Sequence, residues 1–246
     1  MDGVIIAAGI GSRIKTVSPS KPLTSVRGRT LLEIAARQLS RAGVDRIIVV
    51  TGYRTELVEA ALPQISSAVG LPVVATRVQD YTLNNGYSVL AGAALTTGDY
   101  LLVMADHILD AEILSSLAEA GSVDRGVTLA VDRRLDNPLV DDLDATYVRT
   151  NDLGRILNIS KRLDQPDAVD CGAFLASWEL AEGIAAAIAA GGIGSLSEGV
   201  QWLADQGRAA TIDIGQAFWI DVDDPSALAI AESSIPDHLA SACVLT

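Results

Sequence analysis

The sequence predicts an α/β fold built on a doubly wound, mostly parallel β-sheet, and three observations lead to this prediction. Short runs of Val, Ile and Leu alternate with helix-like segments over residues 3–106. Apolar residues recur at intervals of three and four in the helix-like segments, whereas the strand-like runs are nearly continuously apolar, as in parallel strands buried on both faces. Most of the joints between them are short, which implies right-handed βαβ units with helices covering both faces of the sheet.

The elements follow one another in a regular order along this first part of the chain. The predicted strands are GVIIAAG (3–9), DRIIVVTGY (45–53), LPVVATRV (71–78) and DYLLVMAD (99–106), and the predicted helices are LLEIAARQLSRAG (31–43), TELVEAALPQI (55–65) and NNGYSVLAGAALTT (84–97). Parallel strands place their carboxyl ends at one edge of the sheet, and open α/β sheets bind their ligands at that edge. The residues directly after each strand are therefore the first candidates for a functional site.

From about residue 125 the pattern changes, because strand-like segments follow one another without helices between them. These are GVTLAVDRR (126–134), DATYVRT (144–150) and GRILNIS (154–160), separated by turn signals, and they predict an antiparallel or mixed extension of the sheet. An alanine-rich helix over about 178–190, a helix around 196–206, a strand over 209–215 and a helix starting near Pro225 complete the chain. Trp178 and Trp202 fall on apolar helical faces and are predicted to be core residues. We expect one domain over 1–232, with halves of about 1–110 and 111–232, and a carboxyl-terminal tail over 233–246.

The composition excludes several classes of function. The chain has 31 acidic and 18 basic residues and a net charge of -13, so its summed field repels nucleic acid polymers and anionic membranes. The longest run of small apolar residues, 184–194, is too short and too rich in glycine to span a bilayer. The two cysteines, Cys171 and Cys243, match neither a disulfide framework nor a zinc spacing. The start MDGVIIAAG, without a basic region or a long apolar run, argues against a secretory signal. We therefore expect a cytoplasmic protein without membrane insertion.

A glycine-rich loop follows the first strand, in the sequence IAAGIGSRIKTVSPSKP (6–22). The nucleotide-binding candidates here are Ala7, Ala8, Gly9, Gly11, Ser12, Arg13 and Lys21. Glycines let backbone N–H groups approach phosphate oxygens closely, and the arginine and lysine would balance a triphosphate. The loop is neither a dinucleotide-binding fingerprint nor a Walker A loop, since Ile14 occupies the position of the third glycine and no G-x-x-x-x-G-K-[ST] is present. A plain tight turn with a solvated lysine remains an alternative.

Carboxylates at the end of one further strand and in a later extended segment predict a metal site. Asp106 ends the strand DYLLVMAD, and Asp221 and Asp223 form a D-x-D pair whose side chains share one side of an extended segment. Unneutralised paired acids are costly, and carboxylates are the ligands that Mg²⁺ prefers, so we predict Mg²⁺ between these three residues. The alternative is that the acids near Pro225 cap the last helix; we expect Asp221 to bind the metal and Asp223 to cap. His107 is interpreted as a structural or orienting residue.

Taken in order, these stretches resemble the nucleotidyltransferases that make NDP-sugars and CDP-alcohols. The resemblance rests on AAGIGSR followed by KPL, on NNGYS (84–88), MADH (104–107), VDCGAF (169–174) and FWIDVD (218–223). It implies a Rossmann-like, nucleotide-diphospho-sugar transferase fold in which residues 1–110 bind the nucleotide and 111–232 the acceptor. Asn85, Gly86 and Ser88 would contact the base and ribose, and Lys161 would contact the phosphate of the acceptor. One departure is Ser20, because the family more often has Pro directly before the lysine.

Within this family the chain is most similar to the branch of CTP:inositol-1-phosphate cytidylyltransferases, through DATYV (144–148), ISK (159–161) and SLSEGV (195–200) together with the segments above. The resemblance implies transfer of CMP from CTP to inositol 1-phosphate, giving CDP-inositol and pyrophosphate without a covalent enzyme intermediate. Arg13, Lys21 and Lys161 would be the catalytic cations. Asp142, Asp144 and Asp170 are the candidates that would bind the hydroxyl groups of a polyol. In that branch the domain is often joined to a membrane-embedded synthase that consumes the product, and this chain is expected to be free-standing or a part of a longer product.

Two alternatives stay open at this point. The same chemistry could serve another acceptor, such as phosphocholine, 2-aminoethylphosphonate or a hexose 1-phosphate, although only ten aromatic residues are available for a choline cage. A non-catalytic nucleotide-binding module is the alternative of another class. Whether the chain forms a homodimer is also left open by the sequence.

Overall fold

A nine-stranded mixed sheet forms the centre of the molecule in the computed structural model, which describes residues 1–121 and 126–239. The strands are β1 (Asp2–Ala7), β2 (Ser25–Val26), β3 (Arg29–Thr30), β4 (Arg46–Thr51), β5 (Val73–Arg77), β6 (Tyr100–Met104), β7 (His107–Leu109), β8 (Val127–Asp132), β9 (Tyr147–Thr150), β10 (Ile156–Ser160), β11 (Ala168–Ala176), β12 (Ala209–Asp213) and β13 (Trp219–Asp221). The helices are α1 (Leu31–Arg41), α2 (Thr55–Val69), α3 (Asn85–Ala93), α4 (Ala111–Ala120), α5 (Trp178–Ala189), α6 (Leu196–Ala204) and α7 (Pro225–Ser234). Short 3₁₀ turns cover Ser12–Ile14, Lys21–Leu23 and Asp237–Leu239.

The topology of the main sheet confirms the predicted fold class. Its order is β10-β9-β11-β6-β1-β4-β5, and β1, β4, β5 and β6 run parallel, as the alternation of strands and helices predicts. The second half of the chain adds the antiparallel extension, because β11 pairs antiparallel with β6, β8 and β9, and β12 pairs parallel with β8. Strand β11 therefore connects the parallel half of the sheet to the antiparallel extension by pairing with strands of both.

Two apolar layers cover the faces of the sheet. Successive residues of a strand point to opposite faces, so Ile5 belongs to the layer under α1, α2 and α4, whereas Val4 and Ile6 belong to the layer under α3, α5 and α6. The edge strand β5 departs from the expectation of full burial, since Val74 is exposed. No helix in the described part of the chain combines the length and the apolar character that crossing a bilayer requires.

A small second sheet, β7 paired with β13, was not predicted and shapes the site. The antiparallel pairing places Asp221 opposite His107, and Ile220 joins a third apolar cluster with Ile14. Within the segment predicted as a tail, Ile235 and Leu239 are buried in the same cluster. Residues 240–246, including Cys243, lie outside the described residues. Trp178 is a wrong core prediction, since it is 63% exposed at the start of α5, whereas Trp202 packs against the layer under α6.

Candidate active site

The candidate site lies at the carboxyl edge of the parallel strands β1 and β6, where the glycine loop and Asp106 emerge side by side. Gly11 shows why the loop needs glycine. Its backbone adopts the left-handed conformation, with φ 58°, and a Cβ atom added there would lie 2.5 Å from the Cβ of Lys21. The loop thus folds directly onto the lysine that follows it ten residues later.

Lys21 is the centre of a carboxylate cluster. Its Nζ donates hydrogen bonds to Asp106 and Asp223 and lies 3.9 Å from Asp221. The side chain of Lys21 is only 10% exposed. Burial alone would lower the pKa of Lys21, but the three carboxylates outweigh it and raise that pKa above its ordinary value. The alternative of a solvated surface lysine does not describe this residue.

His107 lies between two of these carboxylates. Its Nδ1 is 2.8 Å from Asp106 and 3.9 Å from Asp221, and its ring stacks on Trp219 at 6.1 Å between centroids. A Cβ on Gly172 would lie 2.6 Å from the His107 ring, so that glycine is needed where β11 passes the imidazole. Burial would lower the pKa of His107, but Asp221 and Asp106 raise it to about 9.

The pKa values of Asp106 and Asp221 are shifted in opposite directions. Burial acts to raise the pKa of Asp106, but Lys21 and His107 hold it well below its usual range. Asp221 behaves differently, because burial together with repulsion from Asp106 and Asp223 raises its pKa to about 8. A group that resists ionisation beside other acids gains most from a further positive charge.

The donor set fits a divalent cation. One ligand atom each from Asp106, His107 and Asp221 lie within 4.8 Å of one another, and the same holds for Asp144, Asp221 and Asp223. Asp221 belongs to both groups, and its Oδ1 atom is buried without a hydrogen-bond partner. Buried polar atoms are rarely left unpaired, and hard oxygen donors match Mg²⁺.

A second group of charges crosses the cleft from the glycine loop to the acceptor half. The guanidinium of Arg13 donates to Asp144 at 2.5 Å and also to Asp223, and Lys161 donates to the other oxygen of Asp144. Burial would raise the pKa of Asp144, but Lys161 and Arg13 hold it well below its usual range. The predicted catalytic cations Arg13, Lys21 and Lys161 are therefore linked through shared carboxylates.

Two cavities meet at Asp106. The smaller, of about 170 Å³, is lined by the strand ends and the 84–88 segment: Ala7, Ala8, Gly9, Lys21, Tyr81, Asn85, Ser88 and Asp106 are among its residues. The larger, of about 540 Å³, is bordered by Arg13, Asp106, Asp144, Lys161, Asp170, Asp221 and Asp223, among others. Asn85 contacts both cavities. The arrangement offers a narrow pocket beside a roomier, acid-rich cleft.

Asp170 is a half-buried acid that borders the larger cleft. It stands at an irregularity in β11, where the Gly172 N–H donates to its carboxylate at 2.7 Å. Burial raises the pKa of Asp170 to about 6. A carboxyl group of this kind, walled by backbone, can accept or donate a hydrogen bond to a ligand hydroxyl.

The structure places several predicted residues differently. Asp142 does not line the larger cleft; it accepts a hydrogen bond from Tyr147 in a neighbouring depression that Lys161 also borders. The cap of α7 is Asp224, not Asp223, since the Asp224 carboxylate accepts from Ala227. Gly86 lies behind the pocket wall, because a Cβ there would be 2.4 Å from the Gly194 carbonyl oxygen. Gly11 and Ser12 likewise shape the loop without lining either cavity.

Sequence reasoning missed Asp132 and Asp141. Asp141 borders the larger cleft 3.9 Å from Arg13. Asp132 is fully buried behind the site and accepts hydrogen bonds from Arg134, Asn137 and the Trp219 Nε1, which fixes the ring that stacks on His107. Asp132 could have been found, because it ends the apolar run VTLAVD as Asp106 ends YLLVMAD.

Comparison with known proteins identifies relatives along the chain. A family model described as the MobA-like NTP transferase domain matches residues 3–203. The bifunctional IPC transferase and DIPP synthase of Rubrobacter xylanophilus is 34% identical over 239 residues, covering 96% of this chain and 52% of that protein. The protein of the same name from Aquifex aeolicus is 30% identical over 226 residues, covering 90% of this chain and 49% of that protein. The chain spans about half the length of the curated relatives it matches.

Solved structures share the fold. The inositol-1-phosphate CTP transferase from T. maritima superposes with a TM-score of 0.79 at 24% identity, covering 96% of this chain and 97% of that one. A UDP-glucose pyrophosphorylase complexed with UDP-glucose superposes with a TM-score of 0.78 at 15% identity, covering 95% and 97%. The fold implied by the sequence motifs is thereby confirmed.

Proposed function

The chain belongs to the family of MobA-like NTP transferase domains, and from this premise we propose that it transfers CMP from CTP to inositol 1-phosphate. The products would be CDP-inositol and pyrophosphate. The observation that carries the proposal is the convergence of Arg13, Lys21 and Lys161 on shared carboxylates where two cavities meet. Nucleotidyl transfer is the general chemistry of this family, whereas the base and the acceptor are our proposal.

The smaller cavity suits the nucleotide. Ala8 and Gly9 line one part of it, and Asn85 and Ser88 provide polar groups near the start of α3. Lys21 lies at the boundary with the metal-binding acids, where it would contact the phosphates. The narrow pocket favours a pyrimidine, in line with the CTP named for the T. maritima protein of the same fold.

The larger cleft suits a polyol phosphate. Its polar border is rich in carboxylates, among them Asp141, Asp144 and Asp170, which can accept hydrogen bonds from several hydroxyl groups. Its aromatic residues are Phe174 and Trp219, and Trp219 is already engaged by Asp132 and His107. A quaternary ammonium group prefers a cage of several aromatic faces, so this lining supports inositol 1-phosphate over phosphocholine.

Asp221, which belongs to both groups of possible ligands, would hold Mg²⁺ together with Asp106 from one group and Asp223 from the other. His107 would orient Asp106 through its Nδ1. When bound, the cation supplies charge neutralisation for the triphosphate oxygens. Lys21 and Arg13 would bind and orient the triphosphate, and Lys161 would hold the phosphate of the acceptor. The residues of the site thus act by positioning and by balancing charge.

The reaction needs no covalent enzyme intermediate. A phosphate oxygen of inositol 1-phosphate attacks the α-phosphorus of CTP, and the bond from that phosphorus to the bridging oxygen of the β-phosphate breaks. The electron pair leaves with pyrophosphate. The attacking phosphate is already ionised at neutral pH, so no general base is required, and His107 keeps an orienting role.

A panel of substrates tests the proposal. Pyrophosphate release should be measured with Mg²⁺ and each pair of CTP, UTP or ATP with inositol 1-phosphate, phosphocholine, 2-aminoethylphosphonate or glucose 1-phosphate, and the product identified by mass spectrometry. We expect CTP with inositol 1-phosphate to give the highest kcat/KM. Asp106→Asn, which keeps the size of the side chain, should lower kcat by about 10²–10³.

Other outcomes separate the alternatives. A clear preference for another acceptor would replace inositol 1-phosphate while leaving nucleotidyl transfer in place. Pyrophosphate release at background with every pair, together with binding of CTP, would favour a non-catalytic nucleotide-binding module.

A further inference from the structure

Lys15 is one of three lysines in the chain, and the proposed reaction uses only the other two. Its Nζ lies 5.1 Å from the centroid of the Tyr53 ring, and the Cζ of Arg54 lies 5.6 Å from the same centroid. Cations at such distances from an aromatic face are attracted to it. Tyr53 therefore gathers two positive charges at one place.

This group adjoins the smaller cavity. The Tyr53 N–H donates to the Ala8 carbonyl oxygen at 2.9 Å, and the Tyr53 ring contacts Tyr81 at 5.8 Å between centroids. Ala8 and Tyr81 both line that cavity. Lys15 comes directly after the 3₁₀ turn Ser12–Ile14 that ends the glycine loop. The two cations thus stand where the loop meets the end of β4, beside the pocket proposed for the nucleotide.

The charges of Lys15 and Arg54 are not balanced as the other cations of the site are. Arg13, Lys21 and Lys161 each pair with carboxylates. Across residues 1–121 and 126–239, by contrast, no ion pair joins Lys15 or Arg54 to an acid. In a chain with a net charge of -13, two cations on one ring and without an ion pair to an acid are a local reversal of sign. Such a reversal attracts a polyanion.

The backbone at Arg54 supports a functional reading. Arg54 adopts the left-handed conformation, with φ 55° and ψ 37°, directly before α2. A residue with a side chain costs roughly 1–3 kcal/mol in such a conformation, and such costs cluster at ligand sites. The guanidinium of the residue in this conformation lies over the Tyr53 ring.

We propose that Lys15 and Arg54, held on Tyr53, form a cationic rim that binds the terminal phosphates of the nucleoside triphosphate and the pyrophosphate released from it. The rim rests on the proposed nucleotidyl transfer but not on the identity of the base or the acceptor. It would draw the leaving group away from the α-phosphorus, while Lys21 holds the phosphates near the metal-binding acids.

Calorimetric titration with two probes tests the rim. Inorganic tripolyphosphate with Mg²⁺ carries only the phosphates, whereas CMP lacks the β- and γ-phosphates. The variants are Lys15→Met, Arg54→Gln, the double variant and the conservative Lys15→Arg. Arg41→Gln removes an exposed charge at the carboxyl end of α1, at the opposite edge of the sheet, and serves as the matched control.

We expect the double variant to bind tripolyphosphate about tenfold more weakly, with CMP affinity unchanged. Lys15→Arg should keep the affinity of the wild type, and the salt dependence of tripolyphosphate binding should fall in the double variant. The proposal is overturned if tripolyphosphate affinity stays at the wild-type value, if the wild type does not bind tripolyphosphate, or if both probes weaken together because the loop is disordered. Normal tripolyphosphate binding without turnover of CTP and inositol 1-phosphate would instead refute the proposed function and leave the rim in place.

Discussion

Replacing Lys21 by Met isolates the role of the buried ammonium. Lys21 is 10% exposed and lies among three carboxylates, two of which it contacts directly. At the 3.9 Å that separates Lys21 from Asp221, an effective dielectric constant of about 20 gives an attraction of about 4 kcal/mol. The closer ion pairs of Lys21 with Asp106 and Asp223 increase this attraction, whereas the variant no longer has to bury a charged ammonium group, which reduces the net cost. We therefore expect Lys21→Met to cost about 3–5 kcal/mol, the usual cost of breaking a buried pair.

Thermal unfolding followed by circular dichroism in EDTA measures this loss. For a chain of this size, about 4 kcal/mol corresponds to a fall in Tm of about 8–16 °C. Adding Mg²⁺ should narrow the difference between variant and wild type, because the divalent cation would take over the neutralisation of Asp106, Asp221 and Asp223.

Lys161→Met is the matched control for this experiment. Lys161 is 61% exposed and also pairs with a carboxylate, so the same substitution should change the stability by about 1 kcal/mol or less. The reasoning is refuted if Lys21→Met melts within 2 °C of the control, or if Mg²⁺ leaves its Tm unchanged while the variant remains folded.

Three further predictions follow from the same contacts. Burial would raise the pKa of Asp132, but hydrogen bonds from Arg134 and Trp219 lower it below its ordinary value. The ionised Asp132 therefore stabilises the folded state at pH values above the ordinary pKa, and this contribution is lost as the pH falls. Asp132→Asn should therefore lose about 1–3 kcal/mol in urea unfolding at pH 7 and less near pH 3, and an equal loss at both pH values would contradict this. Gly172→Ala should lose more stability than Gly70→Ala. The two glycines have nearly the same φ, 70° and 71°, so the left-handed backbone costs roughly 1–2 kcal/mol in both variants. Only at Gly172 would the added Cβ meet a neighbour, the His107 ring at 2.6 Å, and equal losses would show that this ring moves aside. Calorimetry should show that CTP binds about tenfold more weakly in EDTA than in Mg²⁺, and that Mg²⁺ binds more weakly by the same factor when CTP is absent. If the two ligands bind independently, they do not share a site.

The parallel half of the fold could be predicted because its information is local. Continuous apolar runs such as YLLVMA and short joints indicate parallel strands at β1, β4, β5 and β6, although β5, at the edge, is only partly buried. The pairing of β7 with β13 could not be predicted, because each strand has only three residues and they lie more than a hundred positions apart. That pairing, rather than a motif, places Asp221 opposite His107.

The site could be predicted to a similar degree. Residues after strands, such as Asp106 and the glycine loop, follow from the rule for open α/β sheets, and the structure brings them together with Lys21. The misplaced residues depend on loop conformation. Asp142 and Asp144 are two positions apart in a turn between β8 and β9, and only the folded loop decides which of them faces Arg13. The choice of helix cap likewise depended on backbone geometry, which selected Asp224.

The charge pattern of the cleft explains why separate elements must fold together before the site exists. Lys21 and Arg13 follow β1, but their carboxylate partners follow β6, precede β9 and follow β13. Isolated, each of these acids would be a solvated surface group with little effect on stability. Brought together, these acids and Asp221 already engage Arg13, Lys21 and Lys161, and Asp221 keeps a buried oxygen without a partner. A triphosphate alone would add negative charge beside these acids, so the geometry favours a nucleotide that arrives with a divalent cation, whose charge offsets both the acids and the phosphates.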